Sequence, residues 1–152
     1  MKQFQYQAGG RVIFGAGATA QVGTVIREQG ARHILLVTDP GVRAAGLVEP
    51  VLSAMTAVGA AVGVFDGVEA NPDTGHVQAG IAFAKAQSRK RPQALDLILA
   101  VGGGSAMDCA KGINFLLTNG GTMEDYWGLD KATAPMLPSV GIDRGPVTCG
   151  VP

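Results

Sequence analysis

Cysteine is scarce: Cys109 and Cys149 are the only two in 152 residues. They lie far apart and make no C-x-x-C pair, so neither a zinc site nor a disulfide framework is indicated. An excess of one charge is also missing. Twelve basic residues balance twelve acidic ones, which argues against a nucleic-acid or anionic-membrane partner, since either calls for a basic surplus. No apolar run approaches the ~20 residues of a membrane span. The start, Met1 to Gln7, has no apolar stretch of the signal-peptide kind. A soluble cytoplasmic protein is therefore expected. Charged residues make up only 16% and apolar residues 47%, which excludes a disordered chain. The length fits one domain, by the prior of roughly 100–200 residues each, and suffices for a core without staples.

What is abundant is glycine, 23 residues, about twice the usual ~7% share. The glycines have no three-residue period. They mark positions where a side chain would be in the way, most of them turns between elements. The apolar pattern between them alternates. Arg11–Phe14 reads as a short strand, and Thr19–Gln29 as a helix that Gly30 closes. His33–Thr38 is a continuous apolar run, as in a strand buried on both faces, and it stops at the turn signal Asp39-Pro40-Gly41. A helix starts near Leu47, with Glu49 and Pro50 in its first turn, and ends at Gly59. Ala61–Phe65 is a third strand. Residues 73–89 form a helix, Arg89–Pro92 a charged loop, and Leu95–Val101 a fourth strand. Gly102–Ser105 opens a helix through Leu117, and Met136–Ile142 is a fifth strand. This alternation predicts an α/β fold, a Rossmann-like parallel sheet flanked by helices. Ligands of such sheets bind beyond the carboxyl ends of the strands. Asp39, Asn71 and Gly102–Ser105 each follow a strand at that end.

Gly102-Gly103-Gly104-Ser105 is the sharpest feature. A helix N-terminus offers free N–H groups and partial positive charge. Glycines let a phosphate approach, and Ser105 can cap the helix or donate its hydroxyl. The arrangement suits a diphosphate, although a tight turn also uses glycine. It is not a P-loop, because no Gly-Lys-Ser/Thr occurs. A competitor is Gly15-Ala16-Gly17-Ala18-Thr19-Ala20, which matches G-x-G-x-x-G/A, with Asp39 at a fitting distance. Its leading strand is short and carries Arg11, unlike a central strand. On residue chemistry alone, Asp39 and Asn71-Pro72 are also ordinary turn residues. Asp108 also serves as helix-dipole compensation. Lys111 reads as a solvated helix residue and Cys109 as a small core residue. His33 and His76 are isolated and form no metal site.

Gly102 to Lys111, read as G-G-G-S-x-x-D-x-x-K, resembles a segment of the iron-containing (group III) alcohol dehydrogenases. Val12-Ile13-Phe14-Gly15-Ala16-Gly17 is similar to that family's V-x-F-G-x-G. Leu36–Gly41 through Gly46-Leu47-Val48 resembles V-T-D-x-G…G-L, and Phe65–Pro72 resembles F-D-x-V-x-x-N-P. These motifs stand in the family's order. Asn71-Pro72 together with residues 102–111 fits the iron group better than the zinc-dependent glycerol dehydrogenase or dehydroquinate synthase relatives. The resemblance implies that residues 1–142 are the dinucleotide-binding domain of an NAD-dependent oxidoreductase, converting an alcohol to an aldehyde or ketone. It implies that Gly102, Gly103, Gly104 and Ser105 hold the cofactor diphosphate. Asp39 then takes the adenosine ribose hydroxyls, which favours NAD over NADP, Asn71 lines the cofactor cleft, and Asp108 in the first helical turn steadies the loop.

The family's Fe2+ is held by an Asp and several His of a helical C-terminal domain, which is expected to be absent here. The segment P-T-T-x-x-G-T-G-S-E that follows the fifth strand in the family is replaced by Asp143–Pro152. That tail has no strand or helix pattern and is expected to be unstructured, the product of a shifted frame or truncated gene. No catalytic or metal-ligating residue is assigned, and the chain alone is expected to lack dehydrogenase activity. The alternative is a stand-alone nucleotide- or diphosphate-binding module, or an inactive fragment. The expected partner is a small alcohol or aldehyde, with homo-oligomerisation left open.

Overall fold

A computed structural model describes residues 10–90, 94–128, 130–143 and 147–150. The Met1–Gln7 reading and the Arg91-Pro92 part of the charged loop lie outside them. The chain runs β1 (Gly10–Ile13), α1 (Val22–Glu28), β2 (His33–Thr38), α2 (Pro40–Ala44), α3 (Glu49–Ala57), β3 (Ala61–Phe65), α4 (Thr74–Lys90), β4 (Leu97–Val101), α5 (Gly104–Asn119), β5 (Ser139–Ile142) and β6 (Val147–Gly150). Short 3₁₀ turns at Ala18–Gln21 and Met123–Tyr126 precede α1 and follow α5.

The six strands form one sheet in the order β1-β6-β5-β4-β2-β3. From β5 to β3 every pairing is parallel, whereas β6 pairs antiparallel with both β5 and β1. The parallel part explains the apolar runs. In β2, Ile34 and Leu36 enter one core while Leu35 and Val37 enter the other. In β4, Leu97 and Leu99 face the first and Ile98 and Ala100 the second. Successive strand residues point to opposite faces, so a strand covered on both sides needs no polar alternation. Val25 and Ile26 of α1 with Val51 and Met55 of α3 close one face. Val77 and Ile81 of α4 with Ile113 and Leu116 of α5 close the other.

Three findings correct or extend these expectations. Asp39-Pro40-Gly41 is not only a turn: it starts α2, with Asp39 as N-cap and Pro40 in the first turn, the position where proline's missing N–H costs nothing. Gly80 and Gly112 lie inside α4 and α5, within the stretches read as helices, and their lack of a side chain has a packing cause. A Cβ on Gly80 would stand 2.2 Å from Ile113 Cδ1, and one on Gly112 would stand 2.9 Å from Val77 Cγ2. Glycine there lets α4 and α5 approach closely. Thirdly, the tail is not without structure over its whole length. Val147–Gly150 forms β6, whose backbone occupies the open edge of β5 and carries β1 on its other side. An unpaired edge is a liability that such a strand removes. Residues 144–146 and 151–152 lie outside the described residues.

Candidate functional site

The strand order reverses between β2 and β4. β3 lies on the far side of β2, while β5 lies on the far side of β4. The crevice at such a switch point is where open α/β sheets take ligands. Thr38 and Val101 are register partners there, and Thr38 Oγ1 donates to the Val101 carbonyl at 2.8 Å. This buried bond fixes Asp39 and Gly102, the next residues, side by side.

A cleft of about 410 Å³ opens at this point, lined by Asp39, Pro40, Val68, Glu69, Ala70, Gly103, Gly104 and Ser105. Asp39 comes from the β2 end. Its Oδ1 accepts the Val42 N–H at 2.9 Å, and its Oδ2 lies close to Gly102, 3.3 Å from where a Cβ would be. Gly102 has φ of +145°, and a Cβ would also meet Ala106 Cβ at 3.0 Å. Backbone conformation and packing therefore both require glycine at 102. Neither requires it at the next two positions. Gly103 has φ of −90°, Gly104 is helical, and a Cβ at either would meet nothing within 4 Å. Two glycines without an internal cause border an open cleft.

The structure brings Asp39, Gly103, Gly104 and Ser105 together around one space, with buried Gly102 behind them. Asn71 and Asp108 are not on the cleft wall. Asn71 is exposed, with φ of +54°, and turns the chain between Ala70, in the cleft, and Pro72, in a neighbouring cavity. Asp108 lines that neighbouring cavity, of about 670 Å³, with Pro72, Cys109 and Phe115. Because Gly103 is the N-cap of α5, Asp108 is the fifth helical residue and not in the first turn. It accepts Lys111 Nζ at 3.1 Å, so the dipole and loop-bonding readings give way to an exposed pair within the helix. Ser105 likewise is not the cap, since the cap position falls on Gly103.

Glu69 was not singled out by its sequence context, and no periodicity could have shown it; the strand–helix loop places it on the wall. Behind it, His76 Nδ1 lies 2.7 Å from Asp73 Oδ1, and Nε2 lies 3.8 Å from Glu69. The His76 side-chain and backbone bonds hold the Asp73 carboxyl below the usual carboxylate range. The competing glycine segment is not on this cleft wall; its Thr19 lines a separate cavity, of about 400 Å³, with Val42 and Gly102. Gly15 and Gly17 have positive φ of 148° and 76°, which accounts for them as turn residues. They follow β1 at the sheet edge, where Val12 and Phe14 are exposed. Among the described residues no group of three or more His, Cys, Asp or Glu converges on a metal position, and no helix is long and apolar enough to cross a membrane.

A family model described as iron-containing alcohol dehydrogenase matches residues 9–149. Alcohol dehydrogenase 4 of Schizosaccharomyces pombe is 39% identical over 86% of this chain and 30% of its own length. An NAD-dependent methanol dehydrogenase of Bacillus methanolicus is 32% identical over 86% of this chain and 32% of its own. The crystal structure of a 1,3-propanediol oxidoreductase superposes with a TM-score of 0.79 at 35% identity, covering 93% of this chain and 36% of that one. The chain thus spans 30–32% of the length of these two curated relatives.

Proposed function

Because the chain belongs to the iron-containing alcohol dehydrogenase family, we propose that it is the NAD-binding portion of an oxidoreductase that interconverts a small alcohol and its aldehyde or ketone. The observation that carries this reading is the pair Gly103 and Gly104. They are glycines with ordinary backbone angles and empty space where a Cβ would stand, on the wall of the switch-point cleft. A phosphate approaching the first turn of α5 gives that space a use. Free N–H groups there and the positive end of the helix would hold a diphosphate, and the Ser105 hydroxyl would add a donor. Asp39 spends Oδ1 on its cap bond and leaves Oδ2 to accept from ribose hydroxyls, a role acidic residues take in dinucleotide folds. The name of the Bacillus methanolicus relative supports NAD as the dinucleotide.

The residues present fit the dinucleotide, which would supply the hydride acceptor when bound. This chain's part is to bind and orient it. The iron in the family's name has no corresponding ligand set among the described residues.

The test is calorimetric titration of the 152-residue chain with NAD, beside its Gly103→Val variant. A Cβ at 103 meets nothing within 4 Å and φ there is −90°, so folding is expected to be kept while the phosphate path is blocked. Affinity should fall at least about tenfold, equivalent to ~1.4 kcal/mol. Equal affinity in the variant would remove the glycine turn as the phosphate site.

A further inference from the structure

Beside the cleft, the cation on α2 is already committed. Arg43 lies one turn along α2 from its N-cap Asp39, and its N–H bonds the Asp39 carbonyl at 3.1 Å. Its guanidinium donates to Asp66 Oδ2 at 2.5 Å, and both side chains are about half exposed. Asp66 begins the loop that leaves β3, and that loop supplies Val68 and Glu69 to the cleft wall. The Val68 N–H bonds the Thr38 carbonyl at 3.4 Å, which keeps the loop against the end of β2, next to Asp39. The pair therefore ties α2 to the start of the β3–α4 loop, the two elements that carry Pro40 and Glu69 to the cleft wall, without lining the wall itself. The charges that line the cleft itself are the Asp39 and Glu69 carboxylates.

We infer that Asp66 is a positioning residue for cofactor choice: by holding Arg43 it withholds the guanidinium that would otherwise receive a phosphate on the ribose 2′ position. An arginine fork is the preferred protein partner of phosphate, and an arginine near the ribose-binding acid is how dinucleotide folds accommodate the 2′-phosphate of NADP. Here Arg43 follows Asp39 on α2, but its charge is paired with Asp66. A 2′-phosphate would meet two carboxylates on the wall and would gain the guanidinium only by breaking its bond to Asp66. Selectivity for NAD then has two parts, repulsion by Asp39 and sequestration of Arg43. The inference rests on the dinucleotide reading of the cleft and adds the residue pair that sets its preference.

The experiment measures the ratio of NADP to NAD affinity by calorimetry on the 152-residue chain and three variants. Asp66→Asn removes the carboxylate charge that holds Arg43 with little change in side-chain volume, leaving a weaker neutral acceptor that a phosphate outcompetes, and the ratio should rise about tenfold, the worth of one charge-assisted phosphate contact. Adding Arg43→Ala to Asp66→Asn should abolish the gain. Arg43→Ala alone should leave the ratio within about twofold of wild type, because the guanidinium is already withheld. An unchanged ratio in Asp66→Asn, or a gain that survives Arg43→Ala, overturns the inference while leaving NAD binding intact. A tenfold fall in the ratio for Arg43→Ala alone overturns it as well, and that arm serves if Asp66→Asn does not fold. Failure of every form to bind either nucleotide overturns both the inference and the reading beneath it.

Discussion

Asn114 shows how a single buried polar side chain can hold an irregular segment. It is 1% exposed, and its amide bonds the Leu137 backbone both ways. Nδ2 donates to the carbonyl at 2.8 Å, and Oδ1 accepts the N–H at 2.9 Å. Five residues on, Asn119 Oδ1 accepts from the Thr133 and Ala134 amides. Together they tie the stretch before β5 to α5. Asn114→Ala should cost about 2–3 kcal/mol, since a buried donor and acceptor lose their partners, and urea denaturation measures it. A loss under about 0.5 kcal/mol would show that the segment holds without this bridge. Cys109 is buried beside the larger cavity, and burial pushes its thiol up from 9.0 to about 11. The folded chain therefore keeps the proton where the unfolded chain has lost it. Stability from this group is full below pH 9 and declines as pH rises toward 11. Thermal melts across that range should show the decline reduced in Cys109→Ala.

At the scale of elements, the two helices on the Cys109 side meet where Gly80 leaves room for Ile113. Gly80→Val should destabilise by about 2–3 kcal/mol through overpacking, read as a fall in the urea midpoint. A neutral result would mean that α4 and α5 have slack. The strands β2, β3 and β4 and the long helices were legible in the sequence because continuous apolar runs and helical spacing come from burial on fixed faces. Three elements were hidden for physical reasons. The five residues of α2 are too few for a periodic stripe, and Asp-Pro-Gly opens a helix as readily as a turn. The 3₁₀ turn Met123–Tyr126 has no stripe either; it depends on the reciprocal bonds of Thr122 and Asp125. Strand β6 is four residues whose pairing is set by β1 and β5, far away in sequence.

At the scale of the molecule, the sheet has two parts with different support. The parallel strands are flanked by helices on both faces, whereas β1 is joined to the rest through β6. Removing residues 147–152 should therefore release β1 while β2, β3 and β4 persist. Hydrogen exchange would show amide protection lost in 10–13 and kept in 33–38 and 97–101. Protection of 10–13 that survives the deletion would contradict the pairing. The same strand order creates the crevice between β2 and β4. Asp39 and the Gly102 segment each follow an apolar run, at strand ends, and the sheet order makes those ends neighbours. The order also moves Asp108 and Asn71 off the cleft wall and brings Glu69 onto it, which depends on loop paths that residue spacing does not encode. It leaves Gly15–Gly17 after the edge strand β1, off the wall that Gly103, Gly104 and Ser105 share with Asp39 and Glu69.

The measurement that bears most directly on this account is an amide-resolved NMR titration of the chain with NAD. The resonances of Gly103, Gly104 and Ser105 should move together with those of Asp39 and Glu69, while Gly15 to Gly17 stay in place. Shifts confined to Gly15–Gly17, with the Gly103–Ser105 amides unmoved, would contradict it.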